Sequence, residues 1–181
     1  KTNTPEFGLG SHTYNPVFGA TRNAIDSSRS AGGSSGGAAV ALAARMTSIA
    51  DGSDMMGSLR NPAGWNEIYG LRPTWGAVPS EPKGDTFLHQ LSTGGPMARS
   101  PADLALLLDV QAGRDPRQPH SLNHTPVAGR LDADVSGRKI AWLGDWSGAY
   151  PMEAGVMDHA AAAVARLGAM GCVVEAVSAP F

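Results

Sequence analysis

The run Ala-Gly-Gly-Ser-Ser-Gly-Gly at residues 31–37, followed at once by the apolar stretch 38–46, constrains this chain more than any other feature. Gly/Ser composition alone gives a flexible linker. A linker has no reason to lead straight into Ala38, Ala39, Leu42, Ala43, Ala44 and Arg45, strong helix formers that predict a short buried helix. A phosphate cradle would use glycine amides and the helix N-terminus. That pattern ends in Lys-Ser or Lys-Thr, whereas Gly36-Gly37 is followed by Ala38-Ala39. A catalytic serine is the third reading. Residues 33–37 even match the Gly-x-Ser-x-Gly elbow, with Ser35 in its centre. An elbow must follow a strand, and residues 22–31 are polar and turn-like, so that match is read as accidental.

A second serine lies downstream in Asp51-Gly52-Ser53-Asp54-Met55-Met56-Gly57-Ser58-Leu59-Arg60-Asn61-Pro62. Glycine beside serine lets backbone amides converge on one point, as an oxyanion hole requires. The blander reading is a surface turn in which Asp54 and Arg60 merely pair. Ser80-Glu81-Pro82-Lys83 imitates a Ser-x-x-Lys motif. Pro82 sits where the helix that motif needs would place an interior amide, so the motif is rejected.

The rest of the chain reads as α/β. Residues 1–37 are loops and turns. Residues 47–50 form a candidate strand leading into a loop over 51–60, 68–71 a second strand, and 74–98 an irregular connection rich in Gly and Pro. Ser100-Pro101-Ala102-Asp103 is a helix start with a serine cap and proline at the first turn. Leu104, Leu107, Leu108 and Gln111 share one face of that helix, and Gly113 stops it. A strand over 139–143, a helix over 153–170 with Val156, Ala160, Val164 and Leu167 on one face, and a strand over 172–177 form a βαβ unit. Its strands are expected to be parallel with a right-handed crossover.

Bulk properties exclude several classes. A formal net charge of -2 gives no reason to expect nucleic acid as a direct partner. No apolar run approaches the length of a membrane span. The single cysteine, Cys172, excludes an internal disulfide and fits a reducing, cytoplasmic compartment. His12, His89, His120, His124 and His159 are dispersed. Only His120 and His124 lie four apart, between Pro119 and Pro126, where solvated loop histidines are expected rather than a metal site. Trp65, Trp75, Trp142 and Trp146 read as core or loop packing.

Taken together, the two serine segments resemble the amidase signature family. The resemblance rests on Gly-Gly-Ser-Ser-Gly-Gly at 32–37, Asp-x-x-Gly-Ser-x-Arg at 54–60 with Ser58 24 residues after Ser34, and Gly70-Leu71-Arg72-Pro73-Thr74. Gly95-Pro96-Met97-Ala98-Arg99 and Ala102-Asp103-Leu104-Ala105 extend it towards the next helix. It implies an α/β amidase signature fold, a mixed sheet flanked by helices, present here in part. The domain expected is one partial amidase domain over 1–181, with the signature core in 1–113 and the βαβ unit in 137–178. The resemblance further implies a Ser–Ser–Lys triad. Ser58 matches the nucleophile and Ser34 the bridging serine, preceded by a cis peptide bond from Gly33. Met55, Met56, Gly57 and Ser58 match the backbone oxyanion hole, with Gly33, Ser35, Asp54 and Arg60 in support. No cofactor and no metal is implied.

Two departures from the family pattern stand out. Many members carry two adjacent glycines before the nucleophile, and here one is Met56, whose side chain is expected to narrow the pocket. The triad lysine belongs upstream of the first serine, which places it before Lys1, while Lys1 itself matches a lysine in a non-catalytic stretch. The family is also longer than 181 residues, so the chain reads as a fragment, expected to be inactive by itself. The leading functional expectation is hydrolysis of a small or medium carboxamide through an acyl-enzyme on Ser58. The alternatives are the glutaminase component of an amidotransferase (its A chain), releasing ammonia from glutamine, and a truncated, non-catalytic scaffold. The expected partner is a small-molecule amide, without nucleic acid or membrane, and a homo-oligomer is left open.

Overall fold

A computed structural model describes residues 1–81 and 91–178. Lys83 and the middle of the 74–98 connection lie outside the described residues. The chain divides into two compact units, Lys1–Leu131 and Asp132–Phe181.

The first unit is built on a three-stranded antiparallel sheet. Strands β1 (Tyr14–Asn15) and β2 (Gly19–Ala20) form a separate small hairpin. The main sheet has the order β3 (Ile49–Asp54), β5 (Thr93–Ala98), β4 (Tyr69–Gly70). Its register runs from Ile49↔Ala98 to Asp54↔Thr93, with Tyr69 also opposite Ala98. This corrects the sequence reading twice. Residues 51–54, expected in a loop, continue β3, and 93–98, expected to be irregular, form the central strand. β5 reads Thr-Gly-Gly-Pro-Met-Ala and is buried along almost its whole length, so it has no polar face and no alternation. A strand covered on both faces loses the period-2 signal that would reveal it.

Helix α1 (Gly36–Ala43) starts two residues before the expected 38–46 and stops three before its end. Its start is set by packing: the Gly36 amide donates to Thr13 Oγ1 at 3.0 Å. Its end is set by Arg45, which turns into the left-handed region at φ 60°. The Arg99 guanidinium donates to the carbonyls of Leu42 in the last turn and of Thr47 beyond it, which fastens the helix end. Helix α2 (Arg60–Trp65) begins where the loop read over 51–60 ends and fills a stretch to which the sequence reading gave no element. With six residues it offers too few turns for a periodic pattern.

Helix α3 (Pro101–Gln111) begins as expected. Ser100 Oγ accepts from the Asp103 amide at 3.1 Å and donates to Asp103 Oδ2 at 2.8 Å. Ala38, Ala39, Leu42, Leu59, Ala63, Ile68 and Met97 form the core between α1, α2 and the sheet.

The second unit is a strand–helix–strand arrangement of β6 (Lys139–Trp142), α4 (Val156–Ala169) and β7 (Val173–Ala176). β6 and β7 pair in parallel, Lys139 opposite Val173 through Trp142 opposite Ala176, as the βαβ pattern predicts. The half-buried face of α4 carries Met157, Ala160, Val164 and Leu167. Val156, expected on that face, is the first helical residue after Gly155 at φ 86° and is exposed, with Met157 half-buried beside it. The histidine expectation is corrected as well. His124 is no solvated loop residue: its Nε2 lies 2.7 Å from Asp109 Oδ1, and its side chain is only 15% exposed. Asp109 also accepts the amides of Val127 and Ala128, which fasten this loop to α3.

One buried side chain ties the first unit together around the serine turn. Asn66 is 1% exposed, donates to the carbonyls of Ala31 and Pro62, and accepts the Ala24 amide at 3.0 Å. Replacing it leaves the buried Ala31 carbonyl without its donor and unties the Ala24 amide from the same side chain. Asn66→Ala should therefore lower unfolding free energy by about 1–3 kcal/mol or more, read as a shift in the urea midpoint at unchanged m-value.

Candidate active site

Two turns meet at the edge of the core, and each carries one of the serines singled out above. The first runs through Gly33, Ser34 and Ser35 into α1. The second leaves β3 at Asp54 and enters α2 at Arg60. The Ser35 amide donates to the Ser58 carbonyl at 3.2 Å, so the backbones of the two serine segments are directly joined.

The first turn is held from below by residues 12 and 13. Thr13, 2% exposed, donates from Oγ1 to the Gly32 carbonyl at 2.9 Å and accepts the Gly36 amide. The Ser34 carbonyl lies 3.3 Å from the same hydroxyl. Gly33 lies against the His12 backbone so closely that an added Cβ would fall 2.7 Å from the His12 carbonyl carbon. His12 Nδ1 is 2.8 Å from Ser30 Oγ, which accepts the Gly32 amide. The Gly33–Ser34 peptide is cis. Thr13 escaped sequence reasoning altogether, since a lone threonine in a loop carries no signal of such a task.

The three serine hydroxyls have different surroundings. Ser35 Oγ sits 3.4 Å from both the amide and the carbonyl of Ser53, docking α1 onto β3. Gly52 makes room for this, because a Cβ there would lie 2.5 Å from Ser35 Oγ. Ser35 is therefore engaged in packing, and no strand precedes it, which removes the elbow reading on geometry. Ser34 is buried and Ser58 half-buried. Among the described residues no hydrogen bond engages either hydroxyl.

The second turn is organised by Asp54, a carboxylate with 0% exposure. Oδ1 accepts the Gly57 amide at 2.7 Å, and Oδ2 accepts the amides of Leu59 at 3.2 Å and Arg60 at 3.4 Å. The Arg60 guanidinium closes on both oxygens, Nε to Oδ2 at 3.0 Å and the second nitrogen to Oδ1 at 3.1 Å. Arg72 stands 3.9 Å away. Burial by itself pushes the pKa of such a group up, but the Arg60 guanidinium and the amides of Gly57, Leu59 and Arg60 outweigh it and hold the carboxyl at about 2. The Asp54–Arg60 pair, whose blander reading was a simple surface turn, is thus the anchor of the loop.

Asp54 also changes the set of amides open to a ligand. The Gly57 amide, counted with Met55, Met56 and Ser58 as an oxyanion donor, is already taken by Asp54. The amides of Met55, Met56 and Ser58 donate to nothing among the described residues. Gly57 instead supplies the turn itself, at φ 128°, where a side chain would collide with Asn61. Met56 keeps a negative φ and extends its side chain outward, 84% exposed.

Comparison with known proteins places this geometry in one family. The family described as Amidase matches residues 1–180. The A chain of Glutamyl-tRNA(Gln) amidotransferase from Cupriavidus necator is 46% identical over 136 residues, covering 75% of this chain and 26% of that protein. A bacterial aryl acylamidase of the amidase signature family superposes with a TM-score of 0.90 at 34% identity, over 99% of this chain and 37% of its own. A 6-aminohexanoate cyclic dimer hydrolase superposes with a TM-score of 0.88 at 33% identity, over 98% of this chain and 38% of its own. The chain thus spans between about a quarter and two fifths of these relatives and holds part of their fold. It belongs to the amidase signature family.

Proposed function

We propose that the protein carrying this chain is a cytoplasmic amide hydrolase that works through an acyl-enzyme on Ser58. The observation that carries this reading is the joining of the two serine turns by the Ser35–Ser58 backbone hydrogen bond. It holds the two serine turns side by side, and among the described residues the hydroxyls of Ser34 and Ser58 and the amides of Met55, Met56 and Ser58 have no hydrogen-bond partner, which supports the reading. Ser58 Oγ attacks the amide carbonyl, and the free amides stabilise the oxyanion that forms. Ser34 passes the proton of Ser58 towards a base and returns it to the departing nitrogen as the C–N bond breaks. Water then cleaves the Ser58 ester and releases the carboxylic acid. A serine hydroxyl needs a base to act as a nucleophile. The resemblance pairs these serines with a lysine as that base, and the reading takes Ser34 to stand between it and Ser58. Neutral lysine suits the task because burial lowers its proton affinity.

The likeness to the A chains of amidotransferases supports a second reading, in which the amide is glutamine and ammonia passes to a partner. The two readings share every step at Ser58 and differ in the substrate. Ammonia release from glutamine by the full-length protein, alongside inertness towards simple aryl amides, would select the second.

Two outcomes follow in the full-length polypeptide containing residues 1–181. Ser34→Ala should lower kcat roughly 10²–10⁴-fold with little change in KM, because proton relay acts in the transition state. An unaltered kcat would make Ser34 purely structural. The second concerns the Asp54 anchor. With its carboxyl at about 2 in the fold and 3.8 ordinarily, Asp54 adds stability above pH 4 that is lost as pH falls towards 2. Unfolding free energy should therefore drop more steeply between pH 4 and pH 2 in the wild type than in Asp54→Asn, as measured by denaturant titration at each pH.

A further inference from the structure

The nucleophile loop holds most of its residues inward. Asp54, Gly57 and Leu59 are buried and Ser58 is half-buried, while Met56 projects with 84% of its surface exposed. It does so in the middle of the free amides, since the Met55, Met56 and Ser58 nitrogens donate to nothing among the described residues. A carbonyl oxygen held by the Met56 amide lies about 3 Å from its nitrogen. The Cβ of the same residue is only about 2.5 Å from that nitrogen, two covalent bonds away. A group beyond the carbonyl carbon that turns to the Cβ side of that nitrogen therefore comes within reach of the Met56 side chain, which extends through Cγ, Sδ and Cε. An unbranched, polarizable thioether adapts to a slim apolar neighbour and gains by leaving water. It offers no hydrogen bond to a charged group, and it collides with bulk fixed at the α-carbon.

We propose that Met56 is a specificity-determining residue, selecting carboxamides whose carbonyl bears a slim apolar group, uncharged and unbranched at the α-carbon. This rests on the reading of Ser58 as nucleophile and of the free amides as oxyanion donors. Two fluorophosphonates that differ only in carrying an n-butyl or a tert-butyl group on phosphorus separate the two claims. In each, the Ser58 Oγ–P bond forms as the P–F bond breaks, and fluoride leaves while the hydroxyl proton passes to the base. The full-length polypeptide should be labelled on Ser58 about tenfold or more faster by the linear probe. Met56→Gly should narrow that ratio by about tenfold, Met56→Ala should narrow it in the same direction, and Met56→Leu should preserve it. An unchanged ratio in both small variants, with Ser58 still labelled, would overturn the role of Met56 and leave the nucleophile standing. Absence of label on Ser58 from either probe in the wild type would overturn the nucleophile, and this inference with it.

Discussion

A carboxylate without any contact with solvent is tolerated only where its lone pairs are filled and its charge is met. Asp54 meets both conditions with three amides of its own loop and the guanidinium of Arg60. The consequence is geometric as well as energetic. By taking the amides of Gly57, Leu59 and Arg60, the carboxylate forces the chain to turn back on itself immediately after β3. Ser58 sits inside that turn, between two residues fixed by the same group. Its position is set by a charge and not by side-chain packing of its own, and its hydroxyl has no hydrogen-bond partner among the described residues.

The first serine turn depends on this arrangement. The Ser58 carbonyl accepts the Ser35 amide, so a shift of the Asp54 loop would move the start of α1. The turn is also pressed between two backbones that permit no side chain where they cross. Gly33 lies on His12, and Gly52 lies beneath the Ser35 hydroxyl. Added bulk at either glycine would part the two segments. The serines are thus brought together by one buried carboxylate, one backbone hydrogen bond and two close approaches, all within the first unit of the chain.

Much of this was legible in the sequence, and the illegible parts share a cause. α3 announced itself because Ser100, Pro101 and Asp103 act locally, each on the backbone within a few residues. The parallel pair β6–β7 was legible because α4 keeps one apolar stripe between two short apolar runs. β5 was missed because Thr93-Gly94-Gly95-Pro96 has neither strand propensity nor alternation, and only its neighbours on both sides make it a strand. That the Gly57 amide is taken up by Asp54 could not be read either. The motif Asp-x-x-Gly-Ser-x-Arg names the donor and the acceptor but not which of them meet. Thr13 and Asn66 were invisible for the same reason, since Gly32 and Gly36 on the one side and Ala31 and Ala24 on the other lie 19 to 42 residues away from them.

The chain holds just over a third of the length of the solved amidase signature structures it matches. Within that share lie the two serine turns and the amides beside them. The most direct test of the central claim is acid-quench mass spectrometry of the full-length polypeptide containing residues 1–181, mixed with an activated aryl amide and stopped within the first turnover. The peptide bearing Ser58 should gain the mass of the acyl group, and the gain should vanish in Ser58→Ala. An acyl group found on Ser34 or Ser35, or turnover with no acylated serine at all, would contradict an acyl-enzyme on Ser58.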